Sequence, residues 1–122
     1  MATLTAKLTI SSSDLLTDAL NLSVSDTLSV LGTTVQKTVA TSTSSVSVLA
    51  ASSFTTSYVF LKNKSTTTAE IITIEKADGG DEYMYLGAGE FAFFPWSSTV
   101  DLFADSASGT PTLEIMLFQA AA

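Results

Sequence analysis

The chain has 122 residues and a net charge of −7, from twelve acidic residues against five lysines, and it contains no Arg, His or Cys. This composition argues against direct nucleic-acid binding, which needs a basic surface, and against triads, thiol nucleophiles, imidazole or thiolate metal sites and disulfides. The first residues lack a signal-peptide pattern and no apolar run reaches the roughly 18–20 residues that span a bilayer, so we expect a soluble protein without membrane contact.

The first half of the chain predicts short strands, because small apolar residues alternate with Ser, Thr and Lys. Leu4 to Ile10 follows a period of two and predicts an opening strand with one buried and one wet face. Residues 13–19 predict one short helical turn, with Ser12 or Ser13 as its N-cap. The further predictions are strands over 20–30, 34–39 and 46–50, a break at Gly32, and a long loop or hinge over 40–45.

The second half carries all of the aromatic residues, seven Phe, three Tyr and one Trp, beginning at Phe54. Tyr58 to Leu61 is apolar in both phases and predicts a central strand covered on both faces. The glycines of residues 77–81 predict a tight hairpin, and Pro95 is expected to end the strand before it. Strands are predicted over 58–61, 71–74, 83–86, 91–94, 100–105 and 113–118.

Together these patterns predict the fold class. Short strands separated by turn residues at intervals of about 8–12 residues, without a helical period between them, are typical of an antiparallel sandwich or barrel. We expect an all-β, two-sheet antiparallel sandwich, jelly-roll-like, with at most one short helical turn. A chain of this length fits one domain, 1–122, with a light Ser/Thr-rich part over 1–53 and an aromatic core half over 54–122.

The acidic residues offer two kinds of candidate site. Asp78, Asp81 and Glu82 could supply loop oxygens to Ca²⁺, but their spacing does not follow the EF-hand pattern and turn chemistry accounts for them. Paired carboxylates could hydrolyse glycosides, although most of them should face solvent beside turns. We therefore expect no metal, no cofactor and no enzymatic activity. The carboxylates considered for hydrolysis are Glu70, Glu75, Glu82, Glu90 and Glu114.

The segment Phe94-Pro95-Trp96 is the most suggestive candidate for an interaction surface. A Trp beside Pro at a strand end could form a stacking platform for a sugar or an anchor for a protein partner. The alternative is that Trp96 caps one end of the sandwich core, as large aromatic residues are mostly buried.

Three segments in order carry a resemblance to a known family: a strand ending in Lys62-Asn63, a Gly-Glu turn over 86–90 before an aromatic strand, and the hairpin over 104–110 before the last strand. This series resembles small virion structural proteins of tailed bacteriophages, of the marine and cyanobacterial phage type. The family pattern has Pro before the Gly-Glu turn, where this chain has Ala88-Gly89. The resemblance covers about 58–118 and leaves the N-terminal part unmatched.

The resemblance implies a jelly-roll-like protein on the outer capsid surface, made in the host cytoplasm and without an active site. We expect a capsid decoration, or cement, protein that bridges major capsid protein subunits and forms a homo-oligomer, with a trimer suited to local three-fold positions. A light N-terminal arm could reach across to a neighbour. The alternative is a tail- or fibre-associated module that binds a receptor or carbohydrate.

Overall fold

The structure is a computed structural model that describes residues 2–15, 17–50, 57–76, 81–97 and 101–120. These residues form two antiparallel sheets, of five and four strands, stacked as a sandwich. The strands are β1 (Ala2–Ser12), β2 (Leu20–Ala40), β3 (Val46–Leu49), β4 (Ser57–Asn63), β5 (Ile72–Lys76), β6 (Glu82–Leu86), β7 (Phe91–Trp96), β8 (Leu102–Ser106) and β9 (Thr112–Ala120). The first sheet has the order β1-β2-β9-β4-β7 and the second has the order β3-β8-β5-β6.

The strand pairing follows a nested pattern. β2 pairs with β9 and β4 with β7 in the first sheet, while β3 pairs with β8 and β5 with β6 in the second. Successive pairs therefore alternate between the sheets, as in a long antiparallel hairpin rolled into a sandwich. This is jelly-roll topology, with β1 added outside the eight rolled strands. The predicted all-β antiparallel sandwich is confirmed.

The interior is built from aliphatic side chains. Alternate residues of β4 and β9 point inward, so that Val59, Leu61 and Ile115 are completely buried against Ile72 and their neighbours in the second sheet. Each fully buried side chain of this size contributes about 1.5–3 kcal/mol. Among the described residues, Trp96 is the only aromatic member of the buried cluster. The sequence predicted that the aromatic residues of 54–122 form the core. This prediction is wrong, because most of the described rings lie on the outer faces of the sheets.

β2 corrects the prediction of two strands separated at Gly32. It is one strand of 21 residues that exchanges partners along its length. Residues 20–30 pair with β1, and residues from Thr34 onward pair with β9 after a register irregularity that follows Val30. The irregularity that interrupts the alternation therefore marks a change of partner, where the sequence suggested a turn.

Residues 13–19 do not form the expected helical turn in their described part, which consists of bends. Ser12 still acts as a local cap, since its Oγ accepts a hydrogen bond from the backbone N–H of Leu15 at 3.1 Å. The described residues include no helix that could cross a membrane.

Two other local predictions need correction. β7 continues through Pro95, which is tolerated because β7 is an edge strand of its sheet and Pro95 has a partner, Tyr58, on one side only. The expected hinge over 40–45 is a short connection held by buried Thr41, whose Oγ1 donates to the carbonyl of Pro111 at 2.8 Å. Most of the predicted hairpin over 77–81, including Asp78, lies outside the described residues.

Candidate functional site

The hairpin of β1 and the first half of β2, residues 2–12 and 20–30, forms a two-stranded ribbon that we call the arm. Residues directly opposite each other in the two strands share a side of the ribbon. One side carries Thr, Ser, Asn and Lys only. The other side, the apolar face of the arm, is built from the cross-strand pairs Leu4 with Leu28, Leu8 with Val24, and Ile10 with Leu22.

Exposure of the apolar face increases along the arm. Val30, where the arm joins the sandwich, is only 4% exposed, and Leu4 and Leu28 are partly buried. Towards the tip, the exposed fractions reach 44% for Leu8 and 51% for Val24. Ile10 and Leu22 at the next pair are similarly exposed. A ribbon of two strands cannot bury its own apolar side, so the distal arm presents aliphatic surface to its surroundings.

A second apolar surface lies on the outer side of the first sheet. β4 and β7 place Tyr58, Phe60, Phe91 and Phe93 there, and we call these four residues the aromatic face. The rings pair across the strands: Tyr58 stacks on Phe93 and Phe60 meets Phe91, each with centroids 6.3 Å apart. Phe91 is 60% exposed and Phe93 is 40% exposed. The rings are thus ordered against each other but open to a partner.

The arm and the aromatic face border a common cleft of about 590 Å³. Its walls are mainly apolar, and the two surfaces face each other across open space. The cleft can therefore accept an apolar partner better than a charged one. Its apolar lining includes Ala6, Leu8 and Val24 from the arm and Phe60, Phe91 and Phe93 from the sheet.

The segment singled out in the sequence does not present one surface. Trp96 is 5% exposed and belongs to the buried cluster, and Phe94 packs partly buried against the same cluster. Pro95 points to the opposite, exposed side. Within the described residues, Trp96 Nε1 has no hydrogen-bond acceptor. The arrangement corresponds to Trp96 as part of the core, without an exposed ring for a sugar to stack on.

Of the five glutamates considered for hydrolysis, Glu75 and Glu82 are opposite each other on β5 and β6, and the other three have structural partners. Glu70 Oε1 accepts from Ser65 Oγ at 2.9 Å, and Glu90 Oε1 accepts from the backbone N–H of Gly87 at 2.5 Å. Glu114 lies 3.9 Å from the Lys64 ammonium. The described residues contain no group of three or more acidic side chains suited to a metal ion, and Asp81 and Glu82 are exposed.

An acidic pair lies on the second sheet. Glu75 is 4% exposed, and its Oε1 accepts a 2.5 Å hydrogen bond from Ser45 Oγ. Asp105 on the adjacent β8 has its pKa raised, first by burial and then by the negative charges of Glu75 and Glu82 and a hydrogen bond with Glu75. Asp105 therefore holds its proton more tightly than a free carboxylate does.

Two exposed tyrosines beside this pair were not singled out by the sequence. Tyr83 and Tyr85 point outward from the edge strand β6 and are 49% and 62% exposed. The Tyr85 hydroxyl donates to the Glu82 carboxylate, and this bond and charge raise the Tyr85 pKa. The sequence contains no clear indication that these tyrosines face outward. Both phases of the alternation are apolar in the segment Tyr83-Met84-Tyr85-Leu86.

The segments that carry the resemblance meet through hydrogen bonds near one end of the sandwich. The backbone N–H of Asn63 donates to the Glu90 carbonyl at 2.9 Å, which joins the first segment to the second. Ser108 Oγ in the third segment donates to the Ala69 carbonyl in the loop after Asn63, at 3.1 Å. These residues therefore have structural roles in closing the loops.

Comparison with known proteins identifies no relative: no family model, no curated protein and no solved structure matches this chain.

Proposed function

We propose that this chain is a non-catalytic structural protein of a tailed-phage particle, a decoration protein that stabilises the head by bridging major capsid protein subunits. The observation that carries this proposal is the combination of an exposed apolar arm with an exposed aromatic face. A cement protein acts by burying surface across neighbouring subunits, including its own copies, so it needs apolar surface that the single chain leaves uncovered. The resemblance over 58–118 supplies the phage context.

The geometry also favours a binding role over a catalytic one. The acidic side chains with partners serve loops or the sheet, and the cleft between arm and sheet is lined mainly by hydrocarbon. Weak contacts repeated at many symmetric sites on a particle add to a large total stabilisation. We accordingly place the chain on the outer capsid surface as a homo-oligomer, with a trimer suited to local three-fold positions.

Mass spectrometry of gradient-purified particles of the encoding phage tests this proposal. The protein should be present at many copies per particle, and its complete absence would exclude the role. Particles carrying Leu8→Asp/Val24→Asp should lose the protein, because charges would enter the apolar face of the arm. The matched variant Thr9→Asp alters the polar side of the arm and should remain on the particle.

A second candidate, a carbohydrate-binding module of the tail or fibre, is favoured by the exposed rings of Tyr83 and Tyr85. Sugars stack on exposed aromatic rings, and nearby carboxylates such as Glu82 accept hydrogen bonds from their hydroxyl groups. A glycan array should show binding by the wild type that is lost in Tyr83→Ala/Tyr85→Ala. The Phe91→Ala variant, on the other sheet, is the control and should bind normally. Failure of the wild type to bind any glycan would remove this candidate.

A further inference from the structure

We propose that the arm of one copy of this chain docks its apolar face onto the aromatic face of a second copy. The inference deepens the proposed function, on which it rests for its biological setting, by naming the two surfaces that join the copies. It concerns the isolated protein, so it can be tested without the particle.

The first argument is that the two surfaces are complementary in chemistry. The distal arm offers branched aliphatic side chains, among them Leu8 and Val24, on one side and hydroxyl groups on the other. The aromatic face offers paired rings that are 40% to 60% exposed at Phe93 and Phe91. Docking would cover hydrocarbon on both surfaces and leave the polar side of the arm in water.

The second argument is that one chain does not bring its own two surfaces together. The arm is fixed at its base, where Val30 is 4% exposed and pairs with Ala120. From this base the arm borders the rings across an open cleft of about 590 Å³. In an exchange, the arm of a second copy takes the place of the first copy's own arm at this cleft. Exchange of an identical element between copies is a low-cost route to an oligomer.

The third argument is area. The arm pairs eleven residues of β1, so the ribbon is about 35 Å long and roughly 10 Å wide. Its distal part, the seven pairs from Ala6 with Asp26 to Ser12 with Leu20, measures about 24 Å by 10 Å, so one docked arm would hide about 240 Å² on each surface and about 480 Å² per contact. Three such contacts in a closed trimer would hide about 1,400 Å² in total, so each contact is weak alone and closure of the ring supplies the stability.

A fourth argument is charge. Asp26 is the only charged residue on the apolar face of the arm, where it lies opposite Ala6. Lys62 lies on the outer side of β4, directly opposite Phe91 of the aromatic face. A docked arm can therefore place its single carboxylate beside a cation at the border of the rings. The pairing of opposite charges would help to fix the register of docking.

The absence of native cysteine allows a direct test by disulfide trapping. Val24→Cys and Phe93→Cys are made in two separate chains of different tagged length, which are mixed under reducing conditions and then oxidised. A disulfide between the two chains can form only if the arm of one copy reaches the aromatic face of the other. We expect at least five-fold more of the mixed disulfide than from the matched pair Thr9→Cys with Phe93→Cys, because Thr9 lies on the polar side.

Light scattering during gel filtration gives the second readout. The wild type should elute as an oligomer, and Leu8→Ser/Val24→Ser should weaken association at least ten-fold, while Thr5→Ser/Thr9→Ser should not. These four positions are exposed or partly exposed, so the substitutions should leave the fold intact, which circular dichroism checks. A monomeric wild type, or a mixed disulfide no more abundant than the control pair, would overturn the inference.

The two proposals fail in different experiments. A chain that exchanges arms in solution but is absent from purified particles would refute the proposed function and leave the arm exchange standing. A chain that is abundant on particles but monomeric in solution, with no arm-to-face disulfide, would refute the exchange alone.

Discussion

The side chain of Asn63 donates a 3.0 Å hydrogen bond from Nδ2 to the backbone carbonyl of Leu86, at the end of β6 in the opposite sheet. The same nitrogen donates to the Glu70 carbonyl at 2.8 Å, and Oδ1 accepts from the backbone N–H of Ser65 at 2.9 Å. Asn63 is completely buried. One amide thus joins the two sheets and orders the loop that follows β4.

Replacement of Asn63 by Ala should lower the free energy of unfolding by about 2–4 kcal/mol, because buried carbonyls would lose their donor. Urea denaturation measures this change. Asn63→Asp keeps an acceptor for Ser65 but loses both donated bonds, so it should be at least as destabilising. Asn21→Ala, on the exposed side of the arm, is the control and should change stability by less than about 0.5 kcal/mol. Equal effects of the Asn63 and Asn21 variants would contradict this role.

Gly89 and Gly109 allow a matched comparison of backbone and side-chain effects. Both have positive φ, 77° and 66°, so Ala at either position should cost about 1–2 kcal/mol. A Cβ at Gly89 would meet nothing within 4 Å, whereas one at Gly109 would contact the Glu70 carboxylate, which is bonded to Ser65. Gly109→Ala should therefore lower the midpoint of thermal unfolding more than Gly89→Ala does. The reverse order would show that Glu70 moves aside without cost.

The raised pKa of Asp105 predicts a pH dependence of stability. The folded chain binds the Asp105 proton more tightly than the unfolded chain, so the contribution of Asp105 to stability is most favourable below the ordinary value of 3.8 and becomes unfavourable as pH rises through the raised pKa. Asp105→Asn should remove this loss and raise stability at pH 7 by a few tenths to about 1 kcal/mol, since the site is partly screened by water. Denaturant titrations at pH 4 and pH 7 measure the difference. Asp18→Asn removes the same charge at an exposed position and is the matched control for the change in net charge.

Ser45 is predicted to stabilise the buried carboxylate of Glu75. Ser45→Ala would remove the 2.5 Å hydrogen bond from its Oγ and should cost about 1–3 kcal/mol, because bonds to charged groups are stronger than neutral ones. Chemical denaturation gives the value. Ser47→Ala, at an exposed position of β3, is the control and should be nearly neutral. If Glu75→Ala, which removes the acceptor, abolishes the difference between the two serine variants, the bond to Glu75 is its source.

The strands of this fold were largely predictable from the sequence, because alternation reflects which side of a sheet meets the core. Leu4 to Ile10 predicted β1, although the observed strand extends further at both ends. The continuity of β2 was not predictable, since a change of partner after Val30 leaves no turn residues apart from one glycine. Pairing between distant segments decides such a feature, and local propensity does not.

The candidate site was less predictable. In the segment from Tyr58 to Leu61 both phases of the alternation are apolar, so the sequence predicted a strand covered on both faces, and this prediction is wrong for the outer face. The structure places Val59 and Leu61 inside and turns Tyr58 and Phe60 outward. For the same reason Trp96 was considered as a surface residue, although it fills the core. The alternation predicted the apolar side of the arm, but it did not predict that the distal part of this side is exposed.

The nested pairing of strands affects how the chain folds during translation. The C-terminal half of β2 pairs with β9 in the first sheet, so Ala40 cannot pair until Thr112 has been synthesised. The aliphatic arm is translated before the other described strands, yet β9, which fixes its base, follows all of them in the chain. Distant pairings of this kind fold slowly and leave apolar strands accessible in the meantime. Newly made chains should therefore depend on chaperones, and refolding at high concentration should lose material to aggregates.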